Sequence, residues 1–218
     1  ADVDDAVNGV IASAFGFQGQ KCSACSRAIV DQSVYKEFVE KLKKGVEQIQ
    51  VGPAKDNVRM GPVISPAAEK TILQYIEIGK KESKLLTGGE KAEGNGFYIK
   101  PTVFVDVKPN AVISQEEIFG PVLAVIKAKN FEDALKIANN TQYGLTGAIY
   151  SKNEEKLAKT RDEFFVGNLY LNRKCTGALV GGHPFGGFNM SGTDSKAGGR
   201  DYLLLFLQAK MISKKIFK

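Results

Sequence analysis

Pro121-Val122-Leu123-Ala124-Val125-Ile126-Lys127 is an apolar run rich in β-branched residues, and Phe131 to Asn139 behind it carries a helical pattern. A strand at Gly147 to Tyr150, a helix at Asn153 to Phe164 and a strand at Gly167 to Asn172 continue the alternation. Strands separated by helix-length segments are joined by crossovers, which return each strand parallel to the last. The predicted fold is therefore α/β, a mostly parallel sheet with helices on both faces.

Upstream, Tyr98 to Val107 is a second run rich in Val, Ile and Phe, divided from Pro121 by turn chemistry. Pro66 suits the first turn of a helix carrying Ile72, Tyr75, Ile76 and Ile78, and Gly88-Gly89 marks a break beyond it. Val34, Phe38, Val39, Leu42 and Val46 mark an amphipathic helix closed by Gly52-Pro53. Val3, Ala6, Val7, Val10, Ile11 and Ala14 form one helical stripe from Val3 to Phe15, behind an acidic first turn, that delivers the chain to Gly19. Ser26 to Val34 is short and partly apolar. The tail from Leu203 to Phe217 alternates weakly in Leu207, Ala209, Met211, Ile212 and Ile216, and is read as an outlying strand that pairs with another subunit.

With 43% hydrophobic residues, 218 residues can bury one substantial core. The net charge of +6 comes from 30 Lys and Arg scattered along the chain, with no block dense enough to follow a phosphate backbone. Nucleic acid is not an expected partner, although a basic field suits anionic metabolites. Three cysteines without framework spacing and no cleavable hydrophobic leader point to a reducing compartment, the cytoplasm or, in a eukaryote, the mitochondrial matrix. The apolar stretch Tyr202 to Leu207 is too short to span a bilayer, so no membrane association is expected. The chain starts without an initiator methionine and runs straight into a helical pattern, which suggests that it begins inside a longer polypeptide.

Chemistry concentrates in Phe15-Gly16-Phe17-Gln18-Gly19-Gln20-Lys21-Cys22-Ser23-Ala24-Cys25-Ser26-Arg27. A cysteine just after a Gly turn, beside a cation and free backbone N–H groups, has the surroundings of a reactive thiol. Taken bare, such a cysteine is more often a small buried hydrophobe. Cys22 and Cys25 also form a C-x-x-C pair, open to reading as redox-active or as half of a zinc site. The zinc version would need Cys175 and His183, whose spacing is not that of a compact finger, and the thioredoxin-like version lacks its preceding strand. No metal is expected. His183, in a Gly-Gly-His-Pro loop without a triad-like partner, reads as structural.

Phe15-x-x-x-Gly19-Gln20-x-Cys22-x-Ala24 resembles the active-site cysteine signature of the aldehyde dehydrogenase superfamily. Two further segments resemble that family in the same order, Glu116-Glu117-Ile118-Phe119-Gly120-Pro121-Val122 and Pro184-Phe185-Gly186-Gly187-Phe188-Asn189-Met190-Ser191-Gly192. The resemblance implies that Cys22 attacks an aldehyde carbonyl to form a thiohemiacetal, that hydride passes to NAD, and that water hydrolyses the resulting thioester. The backbone N–H of Cys22 would supply half of the oxyanion hole. Glu117 would hold the nicotinamide ribose hydroxyls and Phe119 would support the ribose and ring. Without the resemblance, Glu116-Glu117 reads as an acidic turn and Phe119 as core.

Lys21-Cys22-Ser23-Ala24-Cys25-Ser26-Arg27 with Thr176-Gly177-Ala178-Leu179-Val180-Gly181 looks like the 1-pyrroline-5-carboxylate dehydrogenase branch, as does Ser191 to Gly199 followed by Asp201-Tyr202-Leu203. That branch oxidises L-glutamate γ-semialdehyde to glutamate. Its pattern implies that Ser23 and the N–H groups of Gly177 and Ala178 bind the substrate α-carboxylate, where a Gly loop lets the backbone approach an anion, and that Phe185 flanks the aliphatic part. Read alone, Gly177 and Gly181-Gly182 are equally a plain surface turn.

The resemblance implies that the general-base glutamate, the asparagine of the other oxyanion donor and the NAD-binding domain fall before Ala1, and no Gly-rich phosphate turn stands between an early strand and helix here. The expected division is a catalytic domain at 1–202 and an oligomerisation tail at 203–218, inactive alone and assembling as a homo-oligomer. A CoA-dependent or reductive relative and a non-catalytic assembly module are the alternatives. Glu117 and Phe119 favour the hydrolytic NAD type.

Overall fold

The computed structural model describes residues 1–192 and 197–217. In chain order its elements are α1 (Val3–Phe15), β1 (Arg27–Asp31), α2 (Tyr35–Glu47), α3 (Pro66–Glu82), β2 (Lys84–Thr87), β3 (Thr102–Val105), α4 (Val112–Gln115), β4 (Val122–Ala128), α5 (Phe131–Asn139), β5 (Thr146–Ile149), α6 (Glu154–Glu163) and β6 (Asn168–Leu171). Four strands form one sheet in the order β1-β4-β3-β2. In it β4 runs parallel to β1 and β3, with Ala124 opposite Arg27 and Phe104, while β2 closes the edge antiparallel to β3. β5 and β6 pair in parallel as a separate two-stranded sheet, with α6 as their crossover.

Every residue of β4 except Lys127 is buried, as a central parallel strand requires. Alternate side chains serve opposite faces. Val103, Val105, Leu123 and Val125 pack with Val7, Ile11 and Phe15 of α1 and Phe38, Leu42 and Val46 of α2. Phe104, Val122, Ala124 and Ile126 pack with Ile72 and Ile76 of α3, Ile113 of α4 and Ile137 of α5. Helices therefore cover both faces, as expected. The Asn130 side chain receives the Asp133 N–H at 2.9 Å and the Asp133 carboxylate receives the Lys129 N–H at 2.8 Å, a reciprocal cap at the start of α5. Asn130→Ala should cost about 1 kcal/mol, read as a lower urea midpoint at unchanged slope.

Three features depart from the sequence expectation. The alternating series is divided between two sheets. The edge strand β2 and the strand β1 arise in segments to which the sequence assigned no element. The tail forms a 3₁₀ turn at Tyr202–Phe206 and no strand from Leu207 to Phe217, and these residues are exposed. The expected strand is thus not formed in the single chain, which holds no second subunit for it to pair with. Thr193, Asp194, Ser195 and Lys196, part of the segment likened to the semialdehyde branch, lie outside the described residues, as does Lys218 of the tail.

Candidate active site

α1 ends at Phe15, and the chain then turns through three residues with left-handed backbone, Phe17 (φ 57°), Gln18 (φ 58°) and Gly19 (φ 66°). Left-handed backbone costs a non-glycine residue roughly 1–2 kcal/mol, so the turn needs outside support. The Gln18 amide donates to the Pro62 carbonyl at 3.1 Å, and the Gln20 side-chain oxygen receives the Ile64 N–H at 3.0 Å. The approach to α3 thereby clamps this turn. Gly19 is buried against the next signature: a Cβ there would run into the carbonyl oxygen of Gly120 and lie 2.9 Å from that of Ala14. Two segments far apart in sequence are brought into backbone contact that only glycine allows.

The Ala24 N–H donates to the Lys21 carbonyl at 2.9 Å, closing a turn with Cys22 and Ser23 at its corners. Cys22 is exposed, and among the described residues no oxygen accepts its backbone N–H. The turn is held from beneath through the Ser23 carbonyl, which accepts from the Thr146 hydroxyl and the Cys175 thiol, both at 3.5 Å. Cys175 is two residues before Gly177, whose φ is 112°, so this contact joins the Cys22 loop to the segment leading to Gly177 and Ala178.

Glu117 and Phe119 are exposed on either side of buried Ile118. Tyr75 donates its phenol to the Glu116 carboxylate at 2.7 Å, which holds the phenol protonated above its usual range and occupies Glu116. Glu117 has no side-chain partner among the described residues. A cleft of about 730 Å³ is lined by Cys22, Glu117, Phe119, Gly120, Thr146 and Cys175, among others. Ser23, Gly177, Ala178 and Phe185 are not part of that lining. Phe185 is half-buried and exchanges two backbone hydrogen bonds with Ala197, at 2.7 and 2.8 Å. His183 receives the Leu179 N–H on Nδ1 at 3.2 Å, a local turn contact. Among the described residues no group of three His, Cys, Asp or Glu gathers as a metal site.

Sequence reasoning missed the supports of the nucleophile turn: Gln18, Gln20, Thr146 and Cys175. Only Gln20 had a visible signal, its place in the cysteine signature.

The profile of the Aldehyde dehydrogenase family matches residues 1–212. The chain belongs to that family. Among curated relatives, 1-pyrroline-5-carboxylate dehydrogenase of Geobacillus sp. (strain WCH70) is 60% identical over 215 residues, which are 98% of this chain and 42% of that protein. Among solved structures, 1-pyrroline-5-carboxylate dehydrogenase from Thermus with bound NAD superposes with a TM-score of 0.94 at 57% identity, covering 95% of this chain and 40% of the other. Proline utilization A from Bdellovibrio bacteriovorus gives 0.92 at 50% identity, covering 95% of this chain and 22% of the other. The chain thus spans about two-fifths of the length of the curated dehydrogenases that it matches. For an aldehyde dehydrogenase family member, the left-handed turn, the Gly19–Gly120 contact and the exposed thiol form one arrangement. They present a sulfur and an unengaged N–H together at the rim of a cleft.

Proposed function

We propose that this chain is the nucleophile-bearing part of an NAD-dependent dehydrogenase that oxidises L-glutamate γ-semialdehyde, the open form of 1-pyrroline-5-carboxylate, to L-glutamate. The observation that carries the reading is Cys22, exposed at a turn with a free N–H and sharing a cleft with Glu117 and Phe119. The Cys22 sulfur adds to the aldehyde carbon, and the N–H of Cys22 donates to the oxyanion that forms. NAD, when bound, accepts the hydride that converts the thiohemiacetal on Cys22 to a thioester. Glu117, with no protein partner among the described residues, suits a pair of ribose hydroxyls, and the exposed ring of Phe119 suits the face of the ribose and nicotinamide. Ser23, Gly177 and Ala178 bind the α-carboxylate and Phe185 borders the substrate methylenes. The Cys175 contact to Ser23 supports the first part, since it draws these two loops together.

Residues 1–202 form the catalytic domain in this reading, and 203–218 the tail through which a second copy binds. The exposure of Leu203, Leu207, Met211 and Ile212 supports such a use. The general base, the second oxyanion donor and the NAD-binding domain belong to sequence outside this chain. Three free thiols suit the cytoplasm, or the mitochondrial matrix in a eukaryote, and among the described residues no helix is long and apolar enough to cross a membrane.

The test is steady-state NADH production. The chain alone should give none with semialdehyde and NAD. Joined to an NAD-binding domain as in the longer relatives, it should prefer glutamate semialdehyde over hexanal by about 10²-fold or more in kcat/KM, since hexanal leaves the carboxylate-binding groups unpaired. Equal specificity constants would remove Ser23, Gly177 and Ala178 from the substrate site.

A further inference from the structure

Behind the nucleophile turn lies a second sulfur site. Cys25 and Cys175 are close enough for their thiols to share a hydrogen bond. Each is fixed by its own contacts. The Cys25 N–H donates to the Ser13 carbonyl of α1 at 3.2 Å, and its thiol reaches the Arg27 carbonyl at 3.4 Å. The Cys175 thiol reaches the Ser23 carbonyl at 3.5 Å, with the hydroxyls of Ser13 and Thr146 beside it. Cys25 is half-buried and Cys175 is 8% exposed, and both line the cleft that Cys22 borders. The pair is therefore shielded from bulky reagents yet open to a small one. Neither thiol has a part in the proposed dehydrogenase chemistry.

We infer that Cys25 and Cys175 form an oxidisable dithiol, which hydrogen peroxide or a similar small hydroperoxide converts to a disulfide tying the nucleophile loop to the segment after β6. The first step is attack of the Cys175 thiolate on one peroxide oxygen. The O–O bond breaks, sulfur gains hydroxyl as a sulfenic acid, and hydroxide leaves. In the second step the Cys25 sulfur attacks the Cys175 sulfur, the S–O bond breaks, and the departing hydroxide takes the Cys25 proton as water. Counting the proton that first left Cys175, two thiols and one peroxide give one disulfide and two waters. Peroxide is the oxidant and both sulfurs are oxidised.

The cluster favours this division of roles. Contact with Cys25 holds the Cys175 thiol below its usual range against the opposing effect of burial, while the same contact, together with burial, pushes the Cys25 thiol up. One member of the pair thus gives up its proton more readily than an ordinary thiol and the other keeps its proton as the resolving thiol. A disulfide also takes the Cys175 S–H away from the Ser23 carbonyl, leaving Thr146 as the remaining side-chain donor to the turn that carries Cys22.

The experiment is peroxide treatment of the full chain, alkylation of the remaining thiols, and tryptic mapping without reductant. Trypsin cuts after Lys21, Arg27 and Lys174, so Cys22 and Cys25 share one peptide and Cys175 begins another. The expected product joins these two peptides with loss of two hydrogens, and dithiothreitol separates them. In Cys22→Ala the same link should form, with both remaining thiols lost to titration and recovered on reduction. Cys175→Ser should leave Cys25 open to alkylation, and oxidation in guanidinium should abolish the preference for this pair. A Cys22–Cys25 bridge as the main product, a link that disappears in Cys22→Ala, or sulfinic acids at Cys25 and Cys175 without a link would each overturn the inference. None of these readouts depends on dehydrogenase activity, so the inference and the proposed function fail separately.

Discussion

Alanine at Cys22 should lower kcat of the whole enzyme by about 10³-fold or more while leaving its affinity for NAD unchanged. The loss is chemical rather than structural. The substitution keeps the backbone N–H of residue 22, and therefore the proposed oxyanion donor, but removes the sulfur proposed to bond to the carbonyl carbon. The remaining cysteines are poorer replacements, since Cys25 is half-buried and Cys175 buried while Cys22 is exposed. Removing a covalent nucleophile leaves only the catalysis that binding and electrostatics supply. Because Cys22 is exposed, stability should change by no more than about 0.5 kcal/mol, so a calorimetric scan separates lost chemistry from lost fold. Turnover within about tenfold of the unsubstituted enzyme would mean that another group attacks the aldehyde, a difference well outside that expected for a lost nucleophile. It would also favour the view of this chain as an assembly module.

Much of the fold was legible because local signals and tertiary packing agree. The stripe from Val3 to Phe15 matches α1 at both ends, with Asp2 capping the Asp4 and Asp5 N–H groups. The run from Pro121 becomes a strand buried at every residue but Lys127, which needs no polar face and so reads as nearly continuous apolar sequence. The unread parts are those whose structure is decided at a distance. β1 carries Arg27 and Asp31 at its ends and becomes a strand by pairing with β4, almost a hundred residues on. β2 is four residues long and exists as an edge to β3. The tail from Leu203 to Phe217 was read as a strand for another subunit, and in the single chain its start is instead a 3₁₀ turn in which Tyr202 packs edge-on against Phe206 at 5.2 Å.

The site divides in the same way. Cys22, Glu117 and Phe119 were legible as residue types within signatures, and one cleft gathers them. The strain that presents Cys22 was not, because left-handed backbone at Phe17 and Gln18 opposes local preference and is held by Pro62 and Ile64. Likewise, no spacing rule brings Cys175 to Cys25 and Ser23. That meeting arises from where the β5-β6 pair sits beside the end of α1.

Gly19→Ala should destabilise the protein by about 3 kcal/mol or more and disable the site along with the fold's local support. Two costs combine. Alanine at φ 66° bears the left-handed penalty of roughly 1–2 kcal/mol, and its Cβ meets two carbonyl oxygens, those of Gly120 and Ala14. Both are backbone atoms, one in the turn entering β4 and one in the last turn of α1, so neither can swing aside as a side chain would. Relief must come from separating the Cys22 loop from the segment carrying Glu117 and Phe119. The melting temperature should fall by about 6–12 °C for a chain of this size. In the whole enzyme KM for NAD should rise together with the fall in kcat, because the cofactor contacts and the nucleophile lose their common reference. Gly16 is the internal control, since its φ is −60° and a Cβ there would meet only the flexible Lys21 ammonium at 3.4 Å. Gly16→Ala should stay within about 0.5 kcal/mol of the parent. If Gly19→Ala melted with Gly16→Ala, the backbone contact between residues 19 and 120 would not be what holds the two signatures together.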